Sequence, residues 1–164
     1  MFVHESTRRQ EVNLNEPIQA VIQIAEPFIK SNGVVLEVYL TDEGPPLVMA
    51  DPVQLQQVIF NLVINAVEAM AQAGNGARIL KLWSQVTPDR TILVRVVDSG
   101  PGIDPKIAER LFQPFTTTKA SGMGLGLSIC REIVEAHSGQ LTAFPNKPHG
   151  TEFQIILPAS DVRN

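Results

Sequence analysis

Apolar residues recur at helical spacing through residues 16–30, where Ile18, Val21, Ile22, Ala25 and Ile29 line one face, while Pro27 predicts a kink or an early end. A β-rich run at 34–40 precedes a Thr-Asp-Glu-Gly-Pro-Pro turn, and a short apolar strand follows at 47–50. Asp51 then reads as a helix cap with Pro52 at the first helical position, and the helix should run to about residue 71. Runs at 78–86 and 91–97, joined by Thr-Pro-Asp-Arg, predict an antiparallel pair. A further helix at 125–137 is closed by Ser138-Gly139, and strands follow at 140–144 and 151–157. This order predicts helices packed on one face of a sheet. Pro and Gly fall singly between periodic segments, so one domain is expected over 12–158, with 1–11 as the end of a preceding segment or a linker and 159–164 as a tail.

Composition narrows the function classes. The chain has 164 residues, with 13 Lys plus Arg against 17 Asp plus Glu, a formal charge of −4. Scattered basic residues on an acidic chain supply no phosphate-tracking stripe, so no nucleic-acid partner is expected. The single cysteine, Cys130, forms no internal disulfide, and His4, His137 and His149 lack metal-ligand spacing. No apolar run approaches the ~20 residues of a membrane span, and the first residues lack the order of a signal peptide. The chain reads as intracellular and cytoplasmic, without membrane contact.

Three stretches carry candidate chemistry. On the 51–71 helix, Gln54, Gln57, Asn61, Asn65 and Glu68 fall within an arc of roughly 80° at about 100° per residue. The rest of the circumference is nearly all apolar. A solvent-facing strip would explain this pattern; so would a polar ligand, because buried amides must be hydrogen-bonded. Next, the strand at 91–97 runs into Asp98-Ser99-Gly100-Pro101-Gly102-Ile103, which is either a plain turn or a pocket with a carboxylate at the mouth of the sheet. Last, Thr116-Thr117-Thr118-Lys119-Ala120-Ser121 leads through Gly122, Gly124 and Gly126 into a helix start, a combination suited to a lid and to phosphate. Neither the dinucleotide fingerprint nor the Walker loop fits these glycines.

Together, Asn61-Leu-Val-Ile-Asn65-Ala66, Asp98-Ser-Gly-Pro-Gly102-Ile, Leu111-Phe112-Gln-Pro-Phe115 and Gly122-Met-Gly-Leu-Gly126-Leu-Ser resemble the ATP-binding catalytic domain of sensor histidine kinases, in the superfamily of DNA gyrase, Hsp90 and MutL. The four motifs stand in the family's order, and the match covers 12–158. Asn-Ala-Val-Glu-Ala-Met and Phe-Thr-Thr-Thr-Lys look most like the nitrogen-regulation and oxygen-sensing kinases. The resemblance implies a two-layer α/β sandwich of the Bergerat type, with a mixed sheet of about five strands covered on one face by three main helices.

The resemblance also implies roles. Asp98 would accept from the exocyclic amine of adenine, selecting ATP over GTP. Asn65 would place its amide oxygen on Mg2+, with Asn61 one turn earlier supporting the same phosphate and metal region. Gly100 and Gly102 would let backbone pass close to the adenine, and Ile103 would also bind the nucleotide. Gly122, Gly124 and Gly126 would let backbone approach the phosphates, and Thr118, Lys119, Met123, Leu125 and Leu127 would also bind the nucleotide. Phe112 and Phe115 would hinge the lid or serve as core aromatics.

Two departures bear on function. Many family members carry a basic residue where this chain has Glu68, which leaves Lys119 as the candidate for phosphate charge. The hydrolysing relatives place a glutamate general base where this chain has Asn61, and an amide cannot take up that proton. The implied activity is therefore transfer of the γ-phosphoryl group of MgATP to a histidine on a dimerisation and phosphoacceptor hairpin outside this chain, with a response regulator as indirect partner. His4 is a poor acceptor, because no proline follows at the family's distance and no hairpin can form before residue 12. A nucleotide-binding regulatory module of the same fold, without transfer activity, is the alternative; a serine kinase of the anti-sigma-factor type ranks behind it.

Overall fold

The computed structural model describes residues 9–74, 76–104, 109–113 and 123–160, and of residues 109 and 123–125 it describes the backbone. In chain order the elements are β1 (Gln10–Asn13), α1 (Asn15–Ser31), β2 (Val35–Tyr39), β3 (Leu47–Ala50), α2 (Pro52–Ala73), β4 (Ile79–Val86), β5 (Thr91–Asp98), a short 3-10 helix (Glu109–Phe112), α3 (Met123–Ala136), β6 (Gln140–Pro145) and β7 (Thr151–Pro158). A five-stranded sheet runs β2-β4-β5-β7-β6. Only β2 and β4 are parallel within it, so the sheet is mixed as expected.

Local signals account for most of these elements. Asp51 caps α2, its carboxylate accepting from Val53 N–H at 3.0 Å and Gln54 N–H at 3.4 Å, and Pro52 opens the helix. Helix α1 continues through Pro27 to Ser31, against the expected kink or early end. Pro27 sits on the exposed side of α1, where the carbonyl that loses its partner can be met by water, and the buried Ala25 and Ile29 hold the helix to the core.

Strand β1 was not expected. It begins inside the stretch read as a preceding segment and pairs antiparallel with β3, Gln10 opposite Ala50 and Asn13 opposite Leu47. Four residues with one buried apolar side chain, Val12, give no alternation long enough to read. This pair forms its own small sheet, so β3 lies outside the main one.

Helix α2 lies between α1 and α3 against the sheet. One core joins Leu55, Val58, Ile59, Leu62, Val63 and Met70 of α2 to the inward residues of β4, β5 and β7. Losing Leu62, which is fully buried, would cost about 2–5 kcal/mol out of a typical ~5–15 kcal/mol of domain stability. The apolar surface of α2 thus determines its rotation, and with it the direction of the polar stripe. On the opposite sheet face Tyr39 stacks on Trp83, and Arg95 lies 5.0 Å from the centre of the Trp83 ring while pairing with Glu152 through two hydrogen bonds.

Candidate functional site

The central strand β5 delivers Asp98 to the edge of the core, where it is 3% exposed. Its Oδ1 accepts two backbone hydrogen bonds, from Gly100 N–H at 2.8 Å and from Thr151 N–H at 3.2 Å. Oδ2 takes no hydrogen bond from a described residue. Burial raises the pKa of Asp98, opposed by the two amide bonds and by the electrostatic influence of His149. The carboxyl group is therefore anchored by one oxygen and free to receive a donor with the other.

The turn after Asp98 is held by the loop between β6 and β7, to which the sequence assigns no role. Asn146 Nδ2 donates to the Asp98 carbonyl at 2.9 Å, and the His149 ring lies 3.2 Å from the Gly100 carbonyl. Gly150 has φ +118°, and a Cβ there would run into the Asp98 carbonyl oxygen. Locally, Asn146 to Gly150 reads as a turn; nothing in it tells that it folds against residues about 50 positions earlier. Gly102 has φ +88° and packs on the Gly150 backbone, whereas at Gly100 a Cβ would press on the Asp98 carboxylate and Met70. These contacts give both glycines a structural reason within the turn. Ile103 is half-buried beside them.

On α2 the polar stripe divides. Gln57 is exposed, whereas Asn61, Asn65 and Glu68 are half-buried. Asn61 Nδ2 points across to α3, donating to Cys130 Sγ at 3.6 Å. The buried Cys130 thiol is pushed up to about 11 by desolvation, with the Asn61 bond opposing. Asn61 therefore links the two helices in addition to any ligand it meets. Glu68 Oε1 is shielded from solvent and has no hydrogen-bond partner among the described residues.

The other expected site residues separate into two groups. Phe112 is a core aromatic, edge-on to Phe153 with centroids 6.2 Å apart and covered by the Arg131 guanidinium at 4.7 Å. Leu127 is likewise buried in the core, and Gly126 faces Asn61, whose Nδ2 would lie 3.8 Å from a Cβ at that position. Phe115, Thr118, Lys119 and Gly122 lie outside the described residues, and Met123, Gly124 and Leu125 are described as backbone in the first turn of α3.

A buried carboxylate thus closes a central strand with one oxygen unengaged by the described residues, and the half-buried face of α2 presents amides and a carboxyl group. Residues 50–161 match the family described as histidine kinase-, DNA gyrase B-, and HSP90-like ATPase, and the chain belongs to that family. Within it, the chain is an ATP-binding catalytic domain of the sensor histidine kinase kind. It is 42% identical over 157 residues to the sensor protein FixL of Bradyrhizobium diazoefficiens, covering 96% of this chain and 30% of that protein. The catalytic domain of the histidine kinase ThkA superposes with a TM-score of 0.81 at 36% identity, covering 92% of this chain and 95% of that domain. ThkA in complex with the response regulator TrrA matches with a TM-score of 0.79 at 33% identity, covering 96% of this chain and 44% of that one. The chain spans under a third of the length of the first curated relatives it matches. No described helix is long and apolar enough to cross a membrane.

Proposed function

We propose that this domain binds MgATP between the Asp98 turn, α2 and the start of α3, and supplies its γ-phosphoryl group to a histidine on a dimerisation and phosphoacceptor hairpin outside this chain. A response regulator is the onward recipient. The observation that carries this reading is the division of labour at Asp98, with Oδ1 held by two amides and Oδ2 left for a donor. An adenine amine supplies that donor. Guanine would present a carbonyl oxygen and repel the carboxylate. A complex of ThkA with a response regulator supports the choice of partner.

At the other end, the half-buried Asn65 offers an amide oxygen, a hard ligand of the kind Mg2+ takes. A bound Mg2+ would supply charge neutralisation for the phosphates. Asn65 orients the phosphate end, and Asp98 sets the depth of the base. Asn61 occupies the helical position one turn before Asn65 and, being an amide donating to Cys130, cannot serve as a base for water. That chemistry favours transfer to an imidazole, which is its own nucleophile, over efficient hydrolysis.

Incubating the chain with labelled ATP and a hairpin carrying the acceptor histidine tests the reading. An acid-labile, base-stable phosphoryl group on the hairpin is expected. Intact ATP binding with no transfer to any cognate hairpin would leave the regulatory-module reading instead.

A further inference from the structure

We infer that Glu68 is a second protein ligand, beside Asn65, for the divalent cation that accompanies the nucleotide. The inference rests on the MgATP reading above and extends it to a side chain that reading does not need. Glu68 stands three residues after Asn65 and seven after Asn61 on α2, so the three share one face of the helix. Its Oε1 is shielded from water yet accepts no hydrogen bond from a described residue. A carboxyl oxygen in that position is costly unless something positive or hydrogen-bonding meets it. The ion pairs among the described residues join Lys30 to Glu26, Lys81 to Glu37, Arg95 to Glu152 and Arg131 to Glu135, and none reaches Glu68. A bare carboxylate facing a triphosphate would also repel it. A cation between the two satisfies both groups, and Mg2+ bound to nucleotide commonly takes one or two carboxyl or amide oxygens from protein, with phosphates and water completing its shell.

The test compares the full chain with Glu68→Gln and Glu68→Asp. ATP affinity is measured by calorimetry with EDTA and across a Mg2+ titration, and Mn2+ binding in the presence of ATP is followed by electron spin resonance. Melting curves check that each variant is folded. For Glu68→Gln the cation concentration giving half-maximal ATP binding should rise about tenfold or more, the Mn2+ signal should show weaker binding, and affinity in EDTA should hold or improve because a negative charge is gone. Glu68→Asp should recover part of the cation response. If Glu68→Gln binds ATP equally or more tightly at every Mg2+ concentration with an unchanged midpoint, the carboxylate is no ligand and the inference falls while the MgATP reading stands. A parent chain that binds no nucleotide overturns both. Should Glu68→Gln fail to fold, a Glu68→Asp variant whose cation midpoint equals the parent's, with an unaltered Mn2+ spectrum, overturns the inference.

Discussion

Replacing Asp98 with asparagine changes one atom of the site while leaving its scaffold able to form. The amide oxygen can still accept from the Gly100 and Thr151 N–H groups, as Oδ1 does in the parent. That places the new NH2 group where Oδ2 stood, so a donor faces the adenine amine. A hydrogen bond to a charged group is worth about 1.5–3 kcal/mol, which corresponds to roughly ten- to hundredfold in Kd. Loss of MgATP affinity in that range is expected, with the preference for ATP over GTP flattened because an amide NH2 can meet the guanine carbonyl. Calorimetry with both nucleotides measures the change, and a melting curve shows whether the fold is kept. Asp98→Ala serves as the contrast, since it strands two buried N–H groups at about 1–3 kcal/mol each and should lower the melting temperature as well as the affinity. If Asp98→Asn is folded and binds both nucleotides as the parent does, the adenine assignment is wrong.

Asn65→Ala should keep the melting temperature near the parent's, the side chain being half-buried on a helix held by its apolar face, while Mg2+-dependent ATP binding is lost; transfer to an acceptor hairpin at the parent rate would refute the metal role. Gly150→Ala should destabilise the domain and weaken ATP binding together, because the new Cβ meets the Asp98 carbonyl at a φ of +118°; an unchanged melting curve would contradict the described contact. His137 is buried, its Nδ1 2.8 Å from the Ile133 carbonyl and its Nε2 accepting from Asp51 N–H at 3.1 Å. Burial lowers its pKa, the Ile133 bond opposes, Arg9 adds to the lowering and Asp51 opposes it. The folded ring stays neutral while the unfolded ring takes a proton, so this stabilisation is complete above about pH 6.5 and is lost as pH falls below it. The drop in melting temperature between about pH 7.5 and about pH 5.5 should therefore be smaller in His137→Gln than in the parent; an equal drop would show that His137 does not titrate this way.

Local pattern and short-range chemistry were enough to reveal most of the architecture. The Asp51-Pro52 start, the apolar three quarters of α2, the turn between β4 and β5 and the stop after α3 each depend on neighbours within a few positions, and each is where the sequence puts it. The polar stripe and Asp98 were equally visible, because a carboxylate closing an apolar strand and amides on a buried helix conflict with simple burial. The tertiary structure decided what those residues meet. Pairing of β1 with β3 is settled by contact across nearly 40 positions and not by β1 itself. The anchoring of one Asp98 oxygen by Thr151, the packing of Gly150 on the turn and the bond from Asn61 to Cys130 join segments 53, 52 and 69 positions apart. Hydrogen-bond partners at such separations follow from how helices and strands stack, a property of the whole core that no single stretch of chain contains.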